Sequence, residues 1–548
     1  MTMKKILYYF KKYWYYEILA LIFTVASIFL SIRANWIIKS LIDDALVPRA
    51  LELLITLSIS FVALVMLSVL LDLGARFLFS KLGQRIVFDL RTNMFSHLLK
   101  LPYDYFVKNQ TGDMITRLIS DPINVQKTVS AALVDFITSL ITIVGVLTWL
   151  FIVNWRLTLI LIPVVPLFII IFMKVNKGVQ KYSQKTQQLV SKSTSLSQEA
   201  ISGIVDLKSL NAGSYILNKF KKLANELAKV TIRRNVLVDS SNFIGKFVLM
   251  PYQAVIIGIG GLWYINNGEP SIGTIFAYTN FMNILIQPSL KLIMVISQFS
   301  QSSASFDRIF HLFDEAVEKE DGLPSHSFKG TINFENVSYS IDDKSILQDV
   351  NLNINESSNQ LIIGPTGSGK TTFTRLMNRL IEPTSGNIRI NGTNLSDLKV
   401  SDVRNNIVFI PQETYLFNSS IKENLLLGLT NVSDDIIIDC CKKAQIHEMI
   451  MSLPDGYNSI VQERGKNLSA GEKQRLSIAR ALIRQPQIII MDEPTANLDK
   501  KTSQEFLKMI QDTLLDQSII IISHAEVTHL NIDQTIQVES GHVEVSNT

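Results

Sequence analysis

Gly364-Pro365-Thr366-Gly367-Ser368-Gly369-Lys370-Thr371 is the stretch that decides how the second half of this chain folds. The apolar run Leu361-Ile362-Ile363 precedes it and a helix-like stretch, Phe373–Leu380, follows, so the order is strand, glycine loop, helix. Phosphate binding needs that order. The glycines let the backbone curl until successive N–H groups point at one oxyanion, and the helix N-terminus adds its dipole. Lys370 is placed to reach terminal phosphates, and the Thr371 hydroxyl suits Mg²⁺, with Thr372 completing the loop.

Outward from the loop, the 548 residues are too many for one core, and the two halves differ in character. Nearly all long apolar runs lie before residue 300, while the glycine loop and its companions lie after 330. The expected division is a transmembrane domain at 1–310, a linker at 311–330 and a nucleotide-binding domain at 331–548. A formal net charge of +4 is small for this length and gives no reason to expect nucleic acid as a partner. The two cysteines, Cys440 and Cys441, are neighbours in a helical run, where bridging is difficult. They read as reduced, packed thiols on the cytosolic side.

About 20 apolar residues cross a bilayer. Six stretches qualify as candidates: Tyr16–Ile38, Leu51–Leu73, Ala131–Val153, Leu157–Met173, Phe243–Ile265 and Ile272–Ser297. The fourth is short because a charged helical continuation follows it. Tyr8, Tyr9, Phe10, Tyr13, Trp14, Tyr15 and Tyr16, flanked by lysines, resemble an interfacial aromatic belt. The segment Lys174–Arg234 carries twelve Lys and Arg and Lys81–Lys127 carries seven, whereas 154–156 carries one and 266–270 none. Positive charge stays inside, so the two long segments and both termini are expected in the cytosol. These segments have helical apolar spacing and few prolines, and long structureless connections are rare. They are expected to be spanning helices that continue into the cytosol and turn at Leu101–Phe106 and at Asn211–Ser214.

Polar groups inside a span cost roughly 2.5–3.5 kcal/mol when charged at mid-bilayer, so their pattern carries meaning. In the sixth candidate Asn280, Asn283, Gln287 and Lys291 recur on one helical face, and in the fifth Asp239, Asn242 and Lys246 do the same. They read either as interhelical glue or as the lining of a hydrated substrate cavity. Arg33, Asp72 and Asp135 are also charged within or near spans.

Past the glycine loop, Ile488-Ile-Ile-Met-Asp492-Glu493 is an apolar strand ending in two carboxylates. Such a strand delivers Asp492 beside bound phosphate to hold Mg²⁺, and puts Glu493 where it can polarise an attacking water. Leu468-Ser469-Ala470-Gly471-Glu472 is a turn leading into a helix that can run to Ile483, a second helix N-terminus suited to phosphate. Gln412 follows the strand Ile407–Ile410, and His524 follows the strand Ile519–Ile522.

This set of glycine loop, Gln412, Leu-Ser-Ala-Gly-Glu, Asp492-Glu493 and His524 resembles the nucleotide-binding domain of ABC transporters. With six spans ahead of it on one chain, the protein resembles a type I ABC exporter half-transporter. The resemblance implies an α-helical transmembrane bundle with long cytosolic extensions, fused to an α/β phosphate-loop ATPase domain. It implies ATP and Mg²⁺ as ligands and a second half-transporter as partner, a homodimer in preference to a heterodimer. ATP would lie between residues 364–372 of one chain and Ser469 and Gly471 of the other, with Asp499 at the dimer seam. Gln412 would join the Mg²⁺ shell and Glu493 would act as general base. His524 would hold the terminal phosphate. The turns near 101–106 and 211–215 would be coupling helices seated on the ATPase domains. Val461–Gly465 resembles an exporter loop that touches the transmembrane domain.

Two positions depart from the family pattern. Ala470 and Glu472 replace a glycine and a glutamine, and Glu472 brings negative charge near phosphate. Ile341 stands where relatives carry an aromatic against adenine, with Tyr339 two residues away as a substitute; otherwise stacking is weak. The implied activity is ATP-driven export by alternating access across a cell membrane, in lipid surroundings and in a bacterium. Importing on the same frame and ATP-gated regulation without pumping are the alternatives. Drugs, lipids and modified peptides all remain open as substrates.

Overall fold

The computed structural model describes residues 2–318, 320, 322–324, 328, 330–341, 344–355, 358–496, 500–514, 517–523 and 530–546. Two compact units divide it: Met1–Leu98 with Gly112–Asp314, and Leu99–Thr111 with Glu315–Thr548.

Helix length in the first unit follows from unbroken apolar sequence, and breaks fall where a residue cannot continue the ladder. The helices are α1 (Thr2–Ser40), α2 (Leu51–Leu98), α4 (Thr111–Gln126), α5 (Leu133–Val153), α6 (Trp155–Leu161), α7 (Val164–Ser202), α8 (Ile204–Ser209), α9 (Gly213–Asn267) and α10 (Ile272–Asp314). The intervening α3 (Tyr103–Lys108) belongs to the second unit. Among the described residues Lys12–Leu46, Leu51–Leu98 and Val134–Val153 are long and apolar enough to cross a membrane by length and composition. The other candidate spans lie in α6–α7, α9 and α10.

Asn154 takes extended backbone, ends α5, and caps α6 by accepting from the Leu157 N–H at 3.1 Å. The fourth candidate span is not one continuous helix. Pro163, which has no N–H to offer the preceding turn, separates α6 from α7. Gly268 closes α9 in the left-handed region at φ 74°. The turn expected at Asn211–Ser214 also differs from expectation. A separate short helix, α8, precedes it between Gly203 and Leu210, and Gly213 already opens α9.

Ile32, Val146, Leu150, Leu157, Leu161, Ile256, Phe281 and Leu285 pack into one buried cluster around Tyr278. The Tyr278 hydroxyl lies 2.6 Å from the Leu150 carbonyl and 3.0 Å from Thr158 Oγ1, so this buried polar atom has partners. Polar joints tie helices together. Arg308 forks onto Asp121 at 2.9 and 2.6 Å, and Asp121 is only 1 % exposed. Lys291 pairs with Asp135 at 2.9 Å. Asp43 caps α10, accepting from the Gly273 N–H at 2.8 Å and from the Ser271 hydroxyl.

In the second unit a six-stranded sheet runs β10 (His542–Ser546), β9 (Gln534–Glu539), β3 (Gln360–Ile363), β8 (Ser518–Ile522), β7 (Ile488–Asp492), β6 (Ile407–Ile410). All neighbours are parallel except β9 with β10. Continuous isoleucine runs suit these strands because both faces are covered. Ile489 and Met491 enter one core cluster while Ile488 and Ile490 enter the other, following the strand's period of two. An antiparallel sheet, ordered β2 (Lys344–Ile354), β1 (Ile332–Ile341), β4 (Ser385–Ile390), β5 (Thr393–Asn394), shares the second cluster. Helix α11 (Lys370–Met377) packs there through Phe373, Leu376 and Met377, with Phe373 stacked on Phe334 at 4.7 Å. The remaining helices are α12 (Val400–Asn406), α13 (Ile421–Leu426), α14 (Asp434–Lys443), α15 (His447–Ser452), α16 (Ala470–Ile483) and α17 (Lys500–Thr513).

Candidate active site

The glycine loop leaves β3 and enters α11 at Lys370, earlier than the helix read from sequence at Phe373. Gly364, at φ 155°, admits no side chain, since a Cβ there would meet the Val538 carbonyl at 2.1 Å. Gly369, at φ 108°, caps α11 from the left-handed region beside Leu347 and Ile346. The Lys370 ammonium donates to the loop's own Gly364 and Pro365 carbonyls at 2.8 and 2.9 Å. The Ser368 hydroxyl is buried and has no protein partner, an orphan that a phosphate oxygen would satisfy.

Because β7 ends level with this loop, Asp492 reaches it: Thr371 Oγ1 donates to Asp492 Oδ2 at 3.1 Å. Burial pushes the Asp492 carboxyl upward, and the Thr371 hydrogen bond, Arg375 and Lys370 oppose that rise. Two hard oxygen donors side by side fit Mg²⁺, which takes one or two protein ligands and completes its shell from water and substrate phosphate. Among the described residues no group of three or more His, Cys, Asp or Glu gathers as an all-protein metal cage.

Glu493 sits at φ 46° with its N–H donated to the Ile522 carbonyl at 3.0 Å, a constrained turn that aims its side chain off the strand end. Gln412 Nε2, arriving from the end of β6, donates to Glu493 Oε2 at 2.8 Å. Thus Lys370, Thr371, Asp492, Glu493 and Gln412, far apart in sequence, gather at the C-terminal ends of parallel strands, where open α/β sheets bind ligands. Ser469 caps α16 in a capping box: its hydroxyl accepts from the Glu472 N–H at 3.3 Å, and Glu472 Oε2 accepts from the Ser469 N–H at 2.7 Å. The Ser-x-x-Glu spacing carries that signal in the sequence itself. Gly471 lies in the first turn of α16. His524 and Asp499 lie outside the described residues.

Tyr339 is not a platform for a base. Its side chain is buried, 4 % exposed, and its hydroxyl donates to Asp104 Oδ1 at 3.2 Å. Burial, with Asp104 adding to it, pushes that phenol up to about 12. Beside it the Arg375 guanidinium lies 5.1 Å over the Tyr103 ring. The sequence names the turn 101–106 but not these partners, because nothing local to Asp104 or Tyr103 encodes residues more than 200 positions away.

In the helical unit Asn280 and Asn283 bond back to the Phe276 and Thr279 carbonyls, and Asn283 and Gln287 are exposed. Lys291 is committed to Asp135. Asp239 is exposed, while the side chains of Asn242 and Lys246 lie outside the described residues.

Residues 18–289 match the ABC transporter transmembrane region and residues 347–496 match the ABC transporter family of ATP-binding domains. The chain belongs to the ABC transporter family and is an ATP-binding membrane protein of exporter type that couples ATP hydrolysis to transport. It is 30% identical over 515 residues to an ATP-dependent lipid A-core flippase of Desulfotalea psychrophila, covering 93% of this chain and 89% of that protein. It is equally 30% identical over 544 residues to the uncharacterized ABC transporter ATP-binding protein YfiB of Bacillus subtilis, covering 99% and 94%. A bacterial Atm1-family ABC exporter solved with ATP bound shares the fold at TM-score 0.81, with 22% identity over 97% of this chain and 94% of that one.

Proposed function

We propose that the chain is one half of a dimeric, ATP-driven exporter that moves an amphipathic, lipid-like molecule across the cell membrane, with both termini in the cytosol. The observation that carries the ATP chemistry is the meeting of Thr371 with Asp492 and of Gln412 with Glu493 around one glycine loop. Residues 364–372 would hold the phosphates through backbone N–H groups and Lys370. Thr371 and Asp492 would hold Mg²⁺, with Gln412 joining its shell; the ion, when bound, offsets phosphate charge as the terminal group leaves. In this structure Gln412 holds the Glu493 carboxylate. Released from it, Glu493 would take a proton from the attacking water, and His524 would hold the terminal phosphate. Ser469, Gly471 and Asp499 of a second copy would close the site.

Dimerisation is supported by the exposed apolar end of the helical unit: Val205 is 74% exposed, Ile201 73% and Leu210 77%. Exposed apolar clusters of this kind mark interaction surfaces. The substrate class is supported by the activity that gives the lipid A-core flippase relative its name and by the accessible polar side chains Asn283 and Gln287 on α10. ATP-dependent accumulation of a labelled phospholipid or lipopolysaccharide precursor in inverted vesicles tests the proposal. Accumulation inside supports export, and ATP hydrolysis without any flux favours the regulator.

A further inference from the structure

We propose that the second unit carries a binding site for a small organic ammonium compound with an amide oxygen, in a cavity beside the end of α11. The helix closes with paired returns: the Arg379 N–H donates to the Leu376 carbonyl at 3.1 Å and the Leu380 N–H to the Arg375 carbonyl at 3.0 Å. That closure puts Arg379 in the left-handed region at φ 53°, where glycine is the usual residue and any other side chain is strained. The arginine side chain is put to use here. It is only 6% exposed, donating from Nη1 to the Leu398 carbonyl and from Nη2 to Glu382 Oε1 at 3.1 Å. The remaining nitrogen, Nε, is buried and has no hydrogen-bond partner among the described residues. A buried donor left unmade is costly, so the adjoining space should hold something that accepts from it.

Arg379 lines a cavity of about 430 Å³, the size of a small-molecule site, and every lining residue lies in the second unit. Val317, Leu380 and Ile381 give it aliphatic surface. Four carboxylates, those of Asp104, Glu318, Glu382 and Asp397, stand there against one lining cation, Arg379. Two of them are compensated: Glu382 takes Arg379, and Arg404 forks onto Glu318 at 2.9 and 2.8 Å. Asp104 accepts from the Tyr339 hydroxyl, a neutral group, and Asp397 is exposed; neither has a cationic partner among the lining residues. The ligand follows from what is left over. Two negative charges favour an ammonium group. The Arg379 Nε–H favours a neutral oxygen, because a further carboxylate would be repelled by Glu382. The aliphatic side takes a short branched chain. Water would satisfy the Nε–H and leave both carboxylates uncompensated, whereas the amino end of a small peptide meets all three demands.

Ligand-observed NMR titration of the full-length protein in nanodiscs tests this with L-leucinamide near about pH 7, where its amine is largely charged. Two truncated probes separate the contacts: 3-methylbutylamine lacks the amide, and 4-methylpentanamide lacks the ammonium group. Leucinamide should bind saturably to wild type. Losing the amide should weaken binding about two- to ten-fold, the worth of one hydrogen bond, and losing the ammonium group should weaken it more. Asp104→Asn combined with Asp397→Asn keeps the side-chain shapes and an acceptor for Tyr339. That variant should bind leucinamide about ten-fold more weakly and 4-methylpentanamide as wild type does. Absence of saturable leucinamide binding overturns the proposal, as does equal binding of 4-methylpentanamide by wild type, a comparison that needs no variant to fold. Leucinamide binding that survives both substitutions unchanged lies elsewhere on the protein, the transport path included, and overturns it too.

Discussion

The two short helices α3 and α8 are each six residues long and each lies between longer helices in the chain, yet their surroundings differ. In α3, Tyr103, Asp104 and Tyr105 are half-buried, with Tyr103 under Arg375 and Asp104 bonded to Tyr339, while Phe106 and Val107 are exposed. In α8 and its flanks Ile201, Ile204, Val205 and Leu210 are all exposed. A soluble tip gains nothing from four bare aliphatic side chains, whereas a docking tip does. The contrast gives α8 the larger bare apolar surface, which supports the proposal of a second copy packed against it.

Trapping the nucleotide gives the largest test of that contrast. Glu493→Gln should slow phosphate release by about 10²–10⁴-fold, the usual worth of a general base. With ATP held, the tip at α8 should become protected from proteolysis, while α3 is protected with or without it. Undiminished turnover would remove Glu493 from the chemistry. A charge placed on the bare tip comes next. Val205→Asp with Leu210→Asp should lower turnover about ten-fold through lost association, with ATP binding per chain retained. Full activity in that variant breaks the comparison, because α8 would then be exposed in the working protein as well.

A smaller effect is expected within the helical unit, away from both tips. Arg308→Ala leaves the Asp121 carboxylate buried with its main partner gone, a loss of about 1–3 kcal/mol, readable as a lower thermal midpoint with both tips unchanged. The smallest effect is a null control. Burial pushes Cys441 up to about 11 and raises Cys440 as well. At pH 8 roughly one Cys441 in a thousand is thiolate. Thiol alkylation of the folded protein should therefore be negligible at pH 8 and complete only after unfolding. Rapid labelling of native protein would show that the second unit opens on its own.

The nucleotide unit was far more readable from sequence than the helical one. β6 and β7 fall where Ile407–Ile410 and Ile488–Asp492 predict them, and α16 starts at Ala470 and ends at Ile483, because strand alternation, helix caps and glycine loops are local signals. The long helices were readable for the same reason, their apolar runs being continuous. What escaped is everything set by distant partners. Asp135 reads as an isolated charge in a span and Lys291 as part of a polar face until the two, 156 positions apart, meet. Asp121 and Arg308 give no sign of each other, and Tyr339 passes for a base platform until its hydroxyl is found on Asp104. The short helix implied near 211–215 lies instead at Ile204–Ser209, because α7 ends at Gly203 and the apolar spacing through Val205, Leu207 and Leu210 does not mark that break.

The cap that Asp43 places on α10 has a mechanical consequence. Gly273 leaves no room there: a Cβ would meet the Lys39 carbonyl at 2.5 Å and Asp43 Cγ at 2.7 Å, so the far end of α1 is riveted to the start of α10. A strut fixed at that corner transmits torque instead of yielding to it. Any side chain larger than hydrogen at Gly273 would prise the two rods apart at that corner, which makes this one position a lock on the join between the first and last long helices.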